Sequence, residues 1–435
     1  GMGDDERPAA SQASAEIADS LDRAMTDMSV SEVKDHAFWE TQPVAQLKPE
    51  LDKIGPQGVE GPIDDPITVA DVKQDAYKLP DSFEWSSCDM EDEKTKKEVF
   101  DLLAANYVED DDEMFRFQYS PEFLKWALQP PGYHVDWHLG VRVAGTGKLV
   151  AFITGVPAKI MVKGKELDVA EINFLCIHKK LRSKRLAPML IREITRRVNL
   201  RGVWQAAYTA GVVLPKPIGT ARYWHRSLNV KKLVEIGFTH LHARMTMART
   251  IKLFKLPPKP ATPGIREMKP SDVPAVTTLL NKYLRGFAVA PVLSEAEVKH
   301  LLSPRAGVVY SFVVEDPDAT SSSSSSSSGN TITDFLSFYS LPSTVIQSAT
   351  HDTLRAAYSY YNVAGKATIQ RLMEDALILA KQRDFDVFNA LNLMDNEQFL
   401  KDLKFGIGDG NLQYYLYNWR LSEKLEPSDI GLVLT

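Results

Sequence analysis

EINFLCIHKKLRSKRLAPMLIREITRR (residues 171–197) decides the fold. Ile172, Phe174, Leu175, Cys176 and Ile177 make its first part a largely apolar run, which reads as a buried strand. A basic junction follows, made of Lys179, Lys180, Arg182, Ser183, Lys184 and Arg185. Beyond it, Leu190, Ile191, Ile194 and Val198 recur at helical spacing, with Arg192, Arg196 and Arg197 on the opposite, wet face. Pro188 suits a first helical turn, where its missing N–H costs nothing. A strand that enters a helix through a cationic loop has the makings of an anion site. Free N–H groups, the positive end of the helix dipole and charge-assisted donors converge there. From the residues alone, a phosphate-bearing ligand and a plain solvated turn both fit. RNA fits worse, because the chain carries a net charge of −6 and lacks a wider basic stripe. The absence of a GxxxxGK[ST] string argues against a nucleoside triphosphatase.

Outward from this segment, KLVAFITGVPAKIMVKGKELDVA (148–170) reads as antiparallel strands turning at Lys163-Gly164-Lys165. EDEKTKKEVFDLLAANYV (91–108) predicts a helix with Val99, Leu102, Leu103 and Tyr107 along one face. The pattern restarts in the second half. GIREMKPSDVPAVTTLLNKYL (264–284) gives a short strand, a cap at Ser271 or Asp272, and a helix. VVYSFVVED (308–316) and ITDFLSFYSLPSTV (332–345) are strands. ATIQRLMEDALILAKQ (367–382) is an amphipathic helix with Ile369, Leu372, Met373, Ala376, Leu377 and Ala380 on one face. Helix, antiparallel strands and helix thus recur, a repeat of structure more than of letters.

The 435 residues allow two or three ordinary domains or one large composite core. A composition of 44% hydrophobic and 25% charged residues is that of a soluble globular protein. No apolar run is long enough to span a membrane, and no secretory signal pattern opens the chain. Two cysteines, Cys88 and Cys176, fit a reducing compartment, and no Cys/His spacing or HExxH string marks a metal site. A cytoplasmic, metal-free protein is the expectation. Residues 1–35 read as a flexible segment with a weak apolar stripe near Ile17–Met28, and the serine run inside 319–330 as a flexible loop. Cys176 can be read as an acyl-carrying nucleophile, but its apolar strand favours inert core. His178 reads as structural, and His225 as a ligand contact.

The strand, loop and helix resemble the acyl-CoA-binding core of the GCN5-related acetyltransferase fold, although RSKRLA (182–187) stands where that fold usually has glycines. Longer strings are more specific. EINFLCIHK (171–179) and KFGIGDG (404–410) resemble the two signature segments of the eukaryotic glycylpeptide N-tetradecanoyltransferases, or N-myristoyltransferases. FWETQPV (38–44), NYVEDDDEMFRF (106–117), YTAGVVLPKPIGTARYWHRSLN (208–229), DFLSFYSLPSTV (334–345) and the terminal GLVL agree with that family. The resemblance runs from about residue 36 onward. It implies an α/β (α+β) fold of two tandem acetyltransferase-like halves, related by a pseudo-twofold around a continuous mixed, largely antiparallel sheet. Residues 36–208 would be the acyl-CoA-binding half and 209–435 the peptide-binding half.

The resemblance also implies site residues. Phe38 and Trp39 correspond to the segment over the CoA, and Arg182, Ser183, Lys184, Arg185, Leu186 and Ala187 to its phosphate loop. The backbone amides of Phe174 and Leu175 correspond to an oxyanion hole, which calls for a bulge at Phe174 to aim its N–H. Asn173 and Thr209 match side chains that hold the incoming amine, and the α-carboxylate of Thr435 matches the catalytic base. Burial would tune such a carboxylate toward that task. An apolar tail, GLVLT, suits that burial, although a last strand completing the sheet is compatible too. Tyr107, Phe115, Phe117, Tyr223, His225, Ser337, Gly408, Asp409 and Gly410 match groove positions. The acidic run of Glu109, Asp110, Asp111 and Asp112 would attract basic residues downstream of the substrate glycine. Myristoyl-CoA would be the acyl-donor substrate, with no cofactor required. Proteins or nascent chains beginning with Gly would be the partners of a monomer. A CoA-dependent N-acetyltransferase of the same fold and a non-catalytic acyl-CoA-binding module are the alternatives.

Overall fold

The computed structural model describes residues 37–47, 59–108, 114–316, 331–346 and 348–435. The N-terminal segment 1–35, the serine run and the acidic run Glu109–Asp112 lie outside the described residues. In chain order, the strands are β1 (Phe83–Ser87), β2 (Phe115–Phe117), β3 (His138–Val143), β4 (Leu149–Val162), β5 (Lys165–Ile177) and β6 (Gln205–Ala210). Then come β7 (Gly219–Ser227), β8 (Ile265–Glu267), β9 (Val289–Pro291), β10 (Val309–Glu315), β11 (Ile332–Ser340) and β12 (Ser343–Val345). Last are β13 (Thr353–Leu354), β14 (Ala356–Ser359), β15 (Val387–Leu391) and β16 (Gly406–Tyr417). Among the described residues, one sheet runs β1-β3-β4-β5-β6-β16-β7-β15-β14-β11-β10-β8, with β9 on β4. A small second sheet joins β13, β12 and β2.

Two contacts of the large sheet are parallel, β5 with β6 and β14 with β15. Parallel neighbours need a crossover, and each pair has one helix as its connection: Leu186–Asn199 in the first half, Ile369–Lys381 in the second. The two halves are therefore built alike, as the repeated pattern in the sequence predicts. β16 lies between β6 and β7 and joins the halves into one sheet. Both parallel contacts are short, three residue pairs each, so the strands part soon after they meet. That parting places the site.

The local rules hold. Lys163 and Gly164 both take positive φ (42° and 84°) between β4 and β5, as a tight hairpin requires. The helix Leu186–Asn199 lays Leu186, Leu190, Ile194 and Val198 on the β3–β4 face, against Trp137, Leu139 and Val141. Tyr107 stands one residue past the helix Glu93–Asn106, at its C-cap. The expected wet face fails at two positions. Arg197 is largely covered, and Arg196 is buried because the arm at residues 73–77 covers that helix face. It donates to the fully buried carboxylate of Glu193 at 2.7 and 3.0 Å and to the carbonyls of Lys73 and Gln74. Arg197 and the Tyr77 N–H complete the shell around Glu193. Burial alone would raise this carboxyl's pKa, but the two guanidiniums hold it below its usual range. Both cysteines are buried and unpaired.

Glu193→Ala leaves Arg196 buried without its charge partner, which should cost about 3–5 kcal/mol in a urea unfolding titration. An unchanged midpoint would mean the arm does not close that site. Burial pushes the Cys88 and Cys176 thiols up to about 12. A thiol reagent at pH 8 should leave both untouched in the folded protein and titrate both after denaturation. Rapid labelling of Cys176 in the native state would revive it as a nucleophile.

Candidate active site

β5 carries a bulge at its centre. Phe152 pairs with Cys176 and Thr154 with Asn173, so Phe174 and Leu175 together face Ile153. Phe174 takes φ 55°, a left-handed conformation that strains a non-glycine residue by about 1–3 kcal/mol. Its ring is buried between Tyr107 (5.9 Å) and Tyr119 (5.0 Å, edge-on). Burying a phenylalanine contributes about 1.5–3 kcal/mol, enough to offset the strain. The bulge turns the Leu175 side chain outward, 38% exposed between the buried Phe174 and Cys176. It also turns the Phe174 N–H away from the ladder to donate to Asn173 Oδ1 at 2.7 Å. The bulge expected from the sequence is present.

Asn173 is the hub. Its Oδ1 also accepts from the Tyr107 hydroxyl at 3.3 Å, and its Nδ2 donates to the backbone carboxylate oxygen of Thr435. The Thr154 hydroxyl donates to its carbonyl at 3.1 Å. The tail that brings Thr435 here is held by main-chain contacts and close packing. Gly431 N–H donates to Val289 O and Val433 N–H to the Tyr361 hydroxyl (3.1 Å), while Ile430 is fully buried. Ile430 presses on Gly219, where a Cβ would come within 2.6 Å of its Cδ1. Residues 431–435 form no strand, so the tail is not a final sheet strand. Thr435, Leu434, Asn173, Thr154 and Glu171 help line a cavity of about 30 Å³. Thr209 does not line it. The β5–β6 pairing ends at Glu171 and Ala207, so Asn173 and Thr209, two residues further along, flank the split between the strands.

At the end of β5 the basic junction folds as a 3₁₀ helix, Lys179–Lys184, and the helix Leu186–Asn199 starts after Arg185 at φ 54°. A right-handed residue followed by a left-handed one turns successive N–H groups into an anion-binding concavity, without glycine. Ser183, Lys184 and Arg185 are exposed there. Arg182 is half-buried and donates to the carbonyl of Asn106 at 2.7 Å, tying the loop to the preceding helix. Leu186 is buried core and Ala187 half-buried, so they contribute backbone. His178 caps the turn by accepting from Lys180 N–H. Nearby, the Arg192 guanidinium lies 5.7 Å from the Phe38 ring, and Trp39 stacks on Tyr208.

Across the split, three residues of β16, Gly408, Asp409 and Gly410, stand opposite the single Tyr223 of β7. Arg222 Nε pins the Gly408 carbonyl at 2.7 Å. A side chain at 408 would lie 2.9 Å from the Tyr223 carbonyl and strike the His225 ring, hence glycine. His225 is fixed by Asn389 at 2.6 Å, and burial holds its pKa below the usual value. Tyr223 is likewise pushed up to about 12 by burial. Phe115 and Phe117 lie half-buried on β2, and Asp409 is exposed. Ser337 is fully buried, its hydroxyl donating to the Tyr361 carbonyl and accepting from the Tyr361 N–H. Its hydroxyl is thus committed inside the protein and unavailable as the groove contact expected from the sequence. Among the described residues, no group of three or more His, Cys, Asp or Glu side chains is placed to hold a metal, and no helix is long and apolar enough to cross a membrane.

The sequence reading missed Glu171, Thr154, Tyr361, Arg222 and Asn389. Only Glu171 announced itself, as a carboxylate inside an apolar strand.

Comparison with known proteins identifies the family. The family profile described as myristoyl-CoA:protein N-myristoyltransferase, N-terminal domain, matches residues 62–221, and its C-terminal counterpart matches residues 235–433. Glycylpeptide N-tetradecanoyltransferase 1 of Arabidopsis thaliana is 58% identical over 406 residues, 93% of this chain and 91% of that protein. A probable glycylpeptide N-tetradecanoyltransferase of Caenorhabditis elegans is 53% identical over 412 residues, 94% and 88% of the two chains. A crystal structure of Saccharomyces cerevisiae N-myristoyltransferase with bound myristoyl-CoA superposes with a TM-score of 0.85 at 42% identity, covering 93% of this chain and all of that one. The chain belongs to the glycylpeptide N-tetradecanoyltransferase (myristoyl-CoA:protein N-myristoyltransferase) family of acyltransferases.

Proposed function

We propose that the chain moves a tetradecanoyl group from myristoyl-CoA to the N-terminal glycine amine of proteins, by direct attack of that amine on the thioester. One observation carries the reading: Asn173 bridges the terminal carboxylate of Thr435 and the bulged N–H of Phe174. A base and an oxyanion donor therefore share one side chain.

The amine of a free N-terminus has a pKa of about 7.7–8, so near pH 7 most of it is protonated and unreactive. The Thr435 carboxylate takes a proton from it, while Asn173 and Thr209 hold the nitrogen at the mouth of the split. Attack on the carbonyl carbon puts negative charge on oxygen. The N–H groups of Phe174 and Leu175 stabilise that charge once substrate displaces the Asn173 oxygen, at roughly 2.7–4 kcal/mol per donor. Collapse breaks the C–S bond, and the thiolate leaves as protonated CoA. The Lys184–Arg185 concavity, with Arg182, Ser183, Leu186 and Ala187, receives the CoA phosphates, and Phe38 and Trp39 cover the nucleotide. The peptide runs along Tyr107, Phe115, Phe117, Tyr223, His225 and Gly408–Gly410, above Ser337, and the acidic stretch at 109–112 attracts its basic residues.

Residues 36–208 thus serve the acyl-CoA and 209–435 the peptide. Both halves of the site come from one chain, which supports a monomer as the working unit. Two buried, unpaired thiols fit a reducing compartment such as the cytoplasm.

Release of CoA thiol from myristoyl-CoA should require a peptide beginning with Gly and should fail with Ala in its place. Release from acetyl-CoA at a comparable rate would favour an N-acetyltransferase, and tight acyl-CoA binding without release would favour a binding module. Extending the chain past Thr435, or deleting its last residues, should slow turnover roughly a hundredfold or more and leave the Kd for myristoyl-CoA unchanged. Full turnover in such variants would remove the terminal carboxylate as base.

A further inference from the structure

Proton bookkeeping exposes a gap in a one-base mechanism. An ammonium and a thioester become an amide and a thiol, so two protons leave the nitrogen. One ends on the CoA sulfur and the other in solvent. The first must leave before attack, and the second once the new N–C bond has made the nitrogen acidic. A single carboxylate holds one proton at a time. It must either discharge the first before the second arrives or pass it on.

A second carboxyl lies in place to receive it. Glu171 precedes Asn173 by two on β5, ahead of the bulge, so both side chains fall on the same face of the strand. Both line the cavity that Thr435 closes. Its volume of about 30 Å³ has room for one or two water molecules, enough to carry a proton between the carboxyls. Glu171 makes no hydrogen bond or ion pair among the described residues. Its register neighbours are Val156 on β4 and Ala207 on β6, both uncharged. The other titratable groups near it are Glu297, on the helix Glu295–Leu302, and Tyr360 and Tyr361 after β14. No cation among them neutralises it. Lys159, on β4, feels Glu297 but is paired with Asp168. Glu171 is half-buried, and a largely covered carboxyl with no partner weakens a fold, so its presence calls for a use.

We propose that Glu171 is the second proton acceptor of the transfer, taking the first proton from the Thr435 carboxylate across the cavity they share. The inference rests on the terminal carboxylate being the base. The nitrogen gives its first proton to Thr435, and the proton crosses to Glu171. The carboxylate so freed accepts the second proton after attack and gives it to the leaving thiolate. Glu171 releases its own proton to solvent, and no electrons change hands. Burial, then the charge of Glu297, raises the Glu171 pKa to about 7. A group that titrates near 7 both accepts and releases a proton at neutral pH.

The test is Glu171→Gln, in single turnovers with myristoyl-CoA prebound and a Gly-peptide added between pH 5.5 and 9. The wild-type rate should rise as Glu171 loses its proton near pH 7, and again as the amine does. In E171Q the limb near 7 should vanish and the rate at pH 7.5 fall about tenfold or more, while myristoyl-CoA affinity stays level. The variant should unfold no earlier than the wild type, since it loses an unpaired, half-buried acid, and Glu171→Asp should recover part of the rate. A merely structural glutamate would instead lose stability and keep the limb. Running the chain extended past Thr435 alongside separates the two readings. E171Q with the wild-type rate and profile, beside an inactive extended chain, overturns the relay and leaves the terminal base. Wild-type behaviour in both overturns both.

Discussion

The site depends on one irregularity, the bulge at Phe174 and Leu175 in β5. A regular strand would spend the Phe174 N–H on the ladder and leave no donor for the proposed oxyanion. The bulge frees that N–H at the cost of a left-handed residue, and the aromatic cage of Tyr107 and Tyr119 makes the conformation stable. The rest of the site is organised around that freed donor. β5 and β6 part just before it, the crossover helix begins just after it, and the tail returns to Asn173 beside it.

In the proposed mechanism that return brings an economy. A side-chain base would need a rigid element to hold it, whereas a terminal carboxylate needs only a fixed tail. Ile430 against Gly219, Gly431 on Val289 and Val433 on the Tyr361 hydroxyl supply three fastenings within four residues. Tyr361 also holds Ser337 through its backbone, which couples the tail to β11. The proposed base and the proposed peptide path are thereby set in one frame, although they come from distant parts of the sequence.

Much of this was legible beforehand, for identifiable reasons. The 171–197 segment carried its own punctuation, so strand, basic turn and helix were read correctly, and the repeat showed in the two amphipathic crossover helices. Long family strings pointed to Asn173, Phe174 and Thr435, which the fold brings together. What stayed hidden depends on contacts remote in sequence. Arg196 looked solvent-facing by helical period, and only the arm at residues 73–77 buries it. Ser337 looked like a groove contact, but its hydroxyl is consumed by the Tyr361 backbone. β16 has no clean alternation, because three of its residues, Gly408 to Gly410, stand opposite the single Tyr223 of β7. Glu171 was in plain view, yet its meaning comes from a cavity that only the returning tail closes.

The most direct test is a crystal structure of the chain with a non-hydrolysable thioether analogue of myristoyl-CoA and a peptide beginning with Gly. The amine nitrogen should lie within about 2.6–3.2 Å of the Thr435 carboxylate. The analogue's carbonyl oxygen should face the Phe174 and Leu175 N–H groups, with Asn173 Oδ1 turned from the former. An amine held by another side chain, with the terminal carboxylate out of reach, would contradict the account.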